Sequence, residues 1–149
     1  MSVEIETVTG PEETAVTEEL VAAFGKLLPQ LSSSAVPLDR EALAAVVSCA
    51  ANTLLIARVD GRIVGTLTLV TAPVPSGLRA LIEDVIVDGD ARGHGVGKAL
   101  VEQALRVAKA AGARTVDLTS RPSREAANRL YVRVGFQRRE SNVYRFAFE

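Results

Sequence analysis

The chain has 149 residues, 48% of them apolar, and a formal net charge of −1. This length suits one domain over residues 1–149, and the apolar fraction is large enough for a core, which excludes a disordered chain. The opening MSVEIETVTGPEE lacks the basic start and apolar stretch of a signal peptide, and no apolar run reaches the roughly 20 residues of a membrane span. The single cysteine, Cys49, excludes an internal disulfide. We therefore expect a soluble cytoplasmic protein with no membrane attachment.

The charge is unevenly distributed along the chain. Residues 1–78 contain 4 Lys and Arg against 9 Asp and Glu, whereas residues 79–149 contain 13 against 9. The basic second half is compatible with a polyanionic small ligand, or with an ordinary solvated Arg-rich surface. It is too weakly basic and too poor in aromatic residues to indicate a nucleic-acid partner.

The first half of the chain predicts a strand, two helices and a hairpin. VEIETVT alternates as a strand does, and Pro11 can open a helix whose apolar residues recur at helical spacing over residues 20–28. Residues 29–34 read as a loop, and Asp39 is placed to cap a second helix that runs to about residue 50. TLLIARVD and RIVGTLTLVTA predict two strands joined at Asp60-Gly61, a strong hairpin signal.

The second half predicts a strand over residues 79–87, a glycine-rich turn, a helix ending at Gly112, and the strand TVDLTS. A further helix opens near Pro122 and ends at Gly135, and the segment from Phe136 onward, including VYRFAF, predicts two final strands. Consecutive strands imply antiparallel pairing, and the strand–helix–strand step implies one parallel crossover. The predicted fold class is α+β (mixed α/β), with a mixed, mostly antiparallel sheet flanked by helices.

The glycine run over residues 92–98, RGHGVGK, lies between a predicted strand and a predicted helix. The first N–H groups of a helix have no intrahelical partner, and they lie at the positive end of its dipole. Glycine removes the side chains that would keep a phosphate away from those groups. The run therefore predicts a pyrophosphate cradle, with added charge from Arg92 and Lys98.

Two other phosphate-binding patterns fail on these residues. A P-loop requires GxxxxGK[ST], but Ala99 follows Gly97-Lys98 and Arg92 stands where the first glycine is needed. The dinucleotide pattern GxGxxG begins at Gly93, but Lys98 occupies its third glycine position. The pattern that survives is R-x-x-G-x-G.

Residues 80–136 resemble the central half of the GCN5-related N-acetyltransferase (GNAT) family. The resemblance is carried by the strand IEDVIV, the run R-G-x-G-x-G-K-x-L, and the segment Asn128-Arg129-Leu130-Tyr131 followed by Gly135-Phe136. Residues 1–78 match the family by the order of their elements. The resemblance implies an enzyme that transfers an acetyl group from acetyl-CoA, as cosubstrate, to an amine.

The resemblance also implies roles for particular positions. The strand residues should line the pantetheine arm, with the Val87 amide as donor to the thioester carbonyl. The backbone of the glycine run should bind the pyrophosphate, Asn128 should reach the cofactor, and Tyr131 should sit near its sulfur. The implied cofactor-binding residues are Val85, Ile86, Val87, Arg92, Gly93, His94, Gly95, Val96, Gly97, Lys98 and Asn128.

Each of these positions also has a purely structural interpretation. Val85 and Val87 are ordinary core valines in any strand. His94, the single histidine, lies inside the predicted cradle, and this position predicts that its backbone contributes while its ring is exposed. Asn128 can satisfy a nearby turn, and Tyr131 can be an aromatic residue at the edge of the core.

Amine acetylation requires a base, because an alkyl amine with a pKa of about 10 arrives protonated. Strict alternation along RALIEDVIV places Glu83 on the same face as Val85 and Val87, which makes Glu83 the candidate base, acting through water. Asp84 is the second choice, favoured if the sheet is distorted there. Tyr131 is the candidate acid for the leaving thiolate, and no metal is expected.

The alternative function is a non-catalytic module that senses acyl-CoA. It would keep the cradle and would not need Glu83 or Tyr131. The acceptor stays open between a small-molecule amine and a protein or peptide amine. Since members of the resembled family often pair through their final strands, VYRFAF also predicts a homodimer.

Overall fold

The computed structural model describes residues 2–148, without the side chains of residues 12 and 13. The described residues form two compact units, 2–119 and 120–148, and each is described by itself. The first unit contains a five-stranded sheet in the order β1-β2-β3-β4-β5. The first four strands pair antiparallel, and β4 pairs with β5 in parallel. The predicted mixed, mostly antiparallel sheet with flanking helices is confirmed.

The elements follow the chain in a simple order. The strands are β1 (Val3–Thr7), β2 (Asn52–Val59), β3 (Arg62–Val74), β4 (Gly77–Val87) and β5 (Val116–Asp117). The helices are α1 (Glu12–Ala15), α2 (Glu18–Leu31), α3 (Arg40–Ser48), α4 (Val96–Ala111) and α5 (Glu125–Val134), and one 3₁₀ turn spans Gly89–Ala91.

Several local signals act as expected. The β2–β3 hairpin turns at Asp60 and Gly61, whose φ values of 51° and 79° suit a two-residue turn of the I′ type. The Asp39 carboxylate accepts the Ala42 N–H at 2.8 Å and caps α3. Gly112, at φ 96°, ends α4 in the left-handed conformation that favours glycine.

The helix expected from Pro11 is divided in two. Pro11 opens only the short α1, and the Thr17 hydroxyl accepts the Leu20 N–H at 3.1 Å to begin α2. The loop predicted over residues 29–34 is partly wrong, because α2 continues through Pro29 to Leu31. The missing proline N–H costs one helical bond, but Leu20, Phe24 and Leu27 are buried and hold the helix.

The helices of the first unit cover the two faces of the sheet. Leu54 and Ile56 of β2 pack in one core cluster with Leu20 and Phe24 of α2. The other face carries α4, which approaches β3 at Gly65. A Cβ at Gly65 would lie 2.9 Å from the Val96 side chain, so only glycine allows α4 to come this close.

The two final strands predicted from Phe136 onward, including VYRFAF, are wrong within the described residues. Residues 136–148 form no strand, and Tyr144, Phe146 and Phe148 are 86%, 82% and 92% exposed. Alternation expresses a preference for a half-buried pleated surface, and a strand forms only where another strand pairs with its N–H and C=O groups. The predicted strand TVDLTS is likewise reduced to Val116–Asp117.

Among residues 2–148, no helix combines the length and the apolarity that a membrane crossing requires. The prediction of one domain over residues 1–149 stays a prediction.

Candidate active site

The strand β4 is irregular at the end that leads to the glycine run. Thr68 pairs with Glu83 and Thr66 pairs with Ile86, so two residues of β4, Asp84 and Val85, stand opposite the single Leu67. Asp84 has φ 49°, in the left-handed region where residues other than glycine are uncommon. This β-bulge ends the regular alternation of β4 within the candidate site.

The parallel pairing between β4 and β5 is short. The recorded pairs among the described residues are Ala80 with Val116 and Leu81 with Asp117. Beyond Leu81, β4 continues for six residues to Val87 while staying paired with β3 on its other side. Within the first unit, β4 therefore has an open edge over residues 82–87 on the side of β5.

The backbone of Val87 is directed at that open edge. The Asp88 N–H donates to the Val64 carbonyl at 2.8 Å, which makes these two residues a hydrogen-bonded pair of the β3–β4 ladder. Hydrogen-bonded and non-hydrogen-bonded pairs alternate in an antiparallel ladder. Val87, paired with Gly65, is thus a non-hydrogen-bonded residue whose N–H points away from β3.

The glycine run lies where the sequence pattern placed it, between β4 and α4. Gly93 and Gly95 have φ values of 85° and 77°, and a Cβ built on either would have no atom within 4 Å. Gly95 is the N-cap of α4 and has no side-chain cap bond. The loop therefore offers open space directly in front of the helix.

The amide groups at the start of α4 are available to a ligand. The first intrahelical bond runs from the Ala99 N–H to the Gly95 carbonyl at 3.0 Å, so the N–H groups of Val96, Gly97 and Lys98 have no partner inside the helix. A 16-residue helix adds the positive end of its dipole at the same place. Backbone donors and dipole together form an anion site.

The side chains of the run divide into two groups. Arg92, His94 and Lys98 are exposed and can add positive charge or contact a ligand. Val96 is 1% exposed, so its side chain anchors the run in the core and only its backbone serves the loop. On β4, Ile86 is buried, whereas Val85 and Val87 are half-buried.

The predicted face assignment for Glu83 is wrong because of the bulge. Paired residues of an antiparallel ladder share a face, so Glu83 lies with Thr68 and Leu54, on the side of α2 and α3. Val87 lies with Gly65, on the side of α4. Glu83 and Asp84 are both exposed. The Glu83 side chain therefore does not share the face of Val87, although both residues belong to the open end of β4.

The connector between β4 and α4 is anchored by two residues of α2 that the sequence patterns did not single out. Lys26 Nζ lies 2.9 Å from the Asp88 carboxylate, and Gln30 Oε1 accepts the Gly89 N–H at 2.9 Å. The Lys26 ammonium and the Asp90 N–H hold the pKa of the Asp88 carboxyl below its usual range. No sequence pattern predicts the contact between Lys26 and Asp88, because the two residues lie far apart in the chain. The Asp88-Gly89-Asp90 segment predicts only a turn at this place.

The second unit carries the two remaining predicted residues on α5. Asn128 Nδ2 donates to the Arg121 carbonyl at 3.0 Å and so satisfies the turn before the helix. The Tyr131 ring packs edge-to-face against Phe136, with centroids 5.9 Å apart. Burial raises the pKa of the Tyr131 phenol, and the Arg124 guanidinium acts weakly in the opposite direction. Asn128 and Tyr131 share one helix, one turn apart.

Within the described part of the chain, no group of three or more His, Cys, Asp or Glu side chains is placed to hold a metal ion.

Comparison with known proteins identifies the family of this chain. The chain matches the profile described as the acetyltransferase (GNAT) family over residues 15–136. An uncharacterised N-acetyltransferase of Methanocaldococcus jannaschii is 39% identical over 61 residues, which are 41% of this chain and 27% of that protein. The match thus spans about a quarter of the length of the archaeal relative.

Solved structures share the fold across nearly the whole chain. An acetyltransferase of Trypanosoma brucei is 27% identical with a TM-score of 0.76, and the match covers 98% of this chain and 100% of that one. A transcriptional regulator of Bacillus halodurans is 26% identical with a TM-score of 0.78, at 98% and 100% coverage. An aminoglycoside acetyltransferase from an uncultured soil sample is 22% identical with a TM-score of 0.79, at 100% coverage of both chains, and shows the fold alone.

Proposed function

Because the chain belongs to the GNAT family of acetyltransferases, we propose that it transfers the acetyl group of acetyl-CoA to a primary amine by direct attack on the thioester. One observation carries the proposal. The open edge of β4 ends at Val87, and only the eight residues 88–95 separate it from the α4 N–H groups that have no partner inside the helix. A pantetheine arm can add to an open strand edge, as an extended peptide does, and the pyrophosphate that follows it needs an anion site.

The residues present fit acetyl-CoA. The amides of Val96, Gly97 and Lys98 would hold the pyrophosphate, and the space in front of Gly93 and Gly95 would admit it. The Arg92 and Lys98 side chains would add charge-assisted bonds. The β4 edge would bind the pantetheine amides, and Asn128 is proposed as a further contact through its amide.

The proposed reaction replaces the C–S bond of the thioester with the C–N bond of an amide. The neutral amine attacks the carbonyl carbon, a C–N bond forms, the C–S bond breaks, and the amine loses the proton that the thiolate gains. The Val87 N–H, which points toward the open edge, is proposed to stabilise the negative charge that develops on the carbonyl oxygen. Tyr131 is proposed as the donor to the thiolate, since a tyrosine phenol is protonated at neutral pH and burial raises its pKa further.

The proposed base is a carboxylate at the bulge of β4. Glu83 stays the first candidate, because it is exposed and the open edge can be reached from either face of the sheet. Asp84 is the alternative, since the bulge places it with Val85 opposite Leu67, three residues before Val87. Both carboxylates would act on the amine through water.

Two measurements test the function. Acetyl-CoA should raise the melting temperature of the protein, while ATP and NAD should not, because the P-loop and dinucleotide patterns fail. Release of free thiol in the presence of an amine should then show turnover. If acetyl-CoA stabilises the protein but no amine tested causes thiol release, the acyl-CoA sensor is favoured. If acetyl-CoA does not stabilise the protein, both functions are refuted.

The acceptor is proposed as a cationic amine, in view of the acidic first half of the chain. Solved structures with this fold include aminoglycoside acetyltransferases and a ribosomal-protein-alanine N-acetyltransferase from Brucella melitensis. The amine panel should therefore include aminoglycosides, amino sugars, polyamines and peptide N-termini. Selectivity for one class, expressed as kcat/KM, would identify the acceptor.

A homodimer and a cytoplasmic location are also proposed. The exposed aromatic residues of VYRFAF offer a surface that a second copy can cover. Light scattering should give about twice the 15.8 kDa mass of the chain, and a monomer at working concentration would refute the dimer. Cell fractionation would test the location.

A further inference from the structure

Two side chains of α2 hold the connector that joins β4 to α4. The connector comprises residues 88–92, and it is followed by the glycine run that faces the proposed pyrophosphate. Lys26 bonds its first residue and Gln30 bonds its second. Residues about 60 positions earlier in the chain thus determine how the connector is held.

Asp88 is fixed from three directions. Its residue is 5% exposed, its carboxylate lies 2.9 Å from Lys26 Nζ, and its second oxygen accepts the Asp90 N–H at 3.1 Å. Its own N–H donates to Val64 of β3. A carboxylate so buried is costly without a counter-charge, so loss of Lys26 should move Asp88 and the turn that it caps.

Gln30 holds the next residue and is itself held. Its Oε1 accepts the Gly89 N–H at 2.9 Å, while its Nε2 donates to the Lys26 carbonyl at 3.2 Å. The second bond orients the amide group and ties it to the turn of α2 that carries Lys26. Both anchors therefore move with one helix.

The glycine run needs this external support. Gly93 and Gly95 open space for a phosphate, but glycine also gives a loop the greatest conformational freedom. Backbone donors bind an anion well only if they are held in the productive direction before the ligand arrives. Val96 fixes the helix side of the run in the core, and the α2 anchors fix its strand side.

We propose that Lys26 and Gln30 are positioning residues for acetyl-CoA, which hold the 88–92 connector so that the amides of α4 face the pyrophosphate. This inference rests on the proposed function. It predicts a defect mainly in the use of the nucleotide part of the cosubstrate. The pairing with Gly65 of β3 holds Val87 near the thioester, whereas the connector that α2 anchors leads on to the cradle.

The test compares acetyl-CoA with S-acetylpantetheine, which lacks the pyrophosphate and the adenosine. Lys26→Met and Gln30→Met should each lower kcat/KM for acetyl-CoA roughly tenfold, since misplaced binding groups lose most of their effect. Activity with S-acetylpantetheine should stay within twofold of the unsubstituted protein. Lys26→Arg keeps the charge and should recover most of the loss. If Lys26→Met fails to fold, Gln30→Met alone carries the test, because its side chain is exposed.

A matched control lies on the same helix. Glu19 of α2 pairs with Arg58 at 2.9 Å, away from the connector, so Glu19→Gln also breaks an ion pair of α2. It should leave the ratio of the two thioester activities unchanged. The inference is overturned if Lys26→Met and Gln30→Met keep full activity with acetyl-CoA, or if their activity falls equally with acetyl-CoA and with S-acetylpantetheine. It is also overturned if Glu19→Gln changes the ratio of the two activities as much as Lys26→Met and Gln30→Met do. Failure of the unsubstituted protein to bind acetyl-CoA would instead refute the proposed function.

Discussion

The helices α4 and α5 have similar sequence patterns but differ in how deeply their side chains are buried. Both have one apolar stripe, and both end at a glycine of positive φ whose N–H bonds two carbonyls of the last turn. Five residues of α4 are buried, namely Val96, Leu100, Val101, Ala104 and Ala108. None of the ten described residues of α5 is buried.

The difference in burial between α4 and α5 predicts that the two helices contribute differently to folding stability and to the proposed reaction. In α4, the groups proposed to bind acetyl-CoA are backbone amides, and the side chains of the same helix form part of the core of the first unit. In α5, the proposed groups are the side chains of Asn128 and Tyr131, on a helix that contributes little burial. Substitutions in α4 should therefore affect folding or cofactor binding. Substitutions of Asn128 and Tyr131 in α5 should affect cofactor binding or catalysis, with little effect on folding.

The largest expected effect is on folding. Leu100→Ala removes a fully buried side chain of α4 and should lower the free energy of unfolding by about 2–5 kcal/mol. Val132→Ala, on α5, removes a side chain that is 66% exposed and should change it by less than about 0.5 kcal/mol. Urea denaturation measures both values. Equal losses would show that α5 is as tightly packed as α4.

Tyr131→Phe should separate catalysis from stability on α5. The change keeps the ring against Phe136 and removes the hydroxyl. We expect kcat to fall roughly tenfold to a thousandfold if chemistry is rate-limiting, with near-normal stability and acetyl-CoA affinity. A thioester with a more acidic leaving thiol should be affected less. Lost stability with full kcat would assign Tyr131 to packing alone.

The raised pKa of Tyr131 gives this prediction a pH dependence. A phenol whose pKa is raised stays protonated to higher pH than an ordinary tyrosine and is lost as a donor only above that value. Ionisation of Tyr131 should therefore cause no fall in kcat between pH 7 and about 10. A fall in that range that disappears in Tyr131→Phe would contradict the direction of the shift.

Gly97→Val tests the cradle on α4. The branched side chain in the first turn of the helix should block phosphate approach and weaken acetyl-CoA binding at least tenfold, about 1.4 kcal/mol. Gly97 is the better position to change, because Gly95 has φ 77° and any side chain there strains the loop as well. Ala110→Val places the same side chain at an exposed position near the other end of α4 and should leave affinity unchanged. Calorimetry with equal affinities for both variants would exclude the cradle.

The smallest expected effect is on the proposed base, because solution conditions can replace it. Glu83→Gln should lower turnover near neutral pH and recover part of it at high pH, where the free amine is abundant. Cofactor affinity should hardly change. Asp84→Asn is the matched comparison, since asparagine also tolerates the positive φ of the bulge. A pH profile of Glu83→Gln identical to that of the unsubstituted protein would transfer the role to Asp84 or to solvent.

The sequence by itself determined the features that depend on neighbouring residues. The Asp60-Gly61 turn, the Asp39 cap, the glycines that end α4 and α5, and the glycine run in front of α4 are all where the sequence places them. In each case the preferred dihedral angles or the capping group belong to the residue itself. The fold class followed from the order of these elements.

Only the tertiary structure decided the features that depend on distant residues. Buried contacts carry α2 through Pro29, and the pairing with β3 creates the bulge at Asp84 that separates Glu83 from the face of Val87. The bond between Lys26 and Asp88 joins residues that no local pattern connects. The alternating VYRFAF segment forms no strand among the described residues, because a pattern of side chains does not supply the second strand that the backbone must pair with.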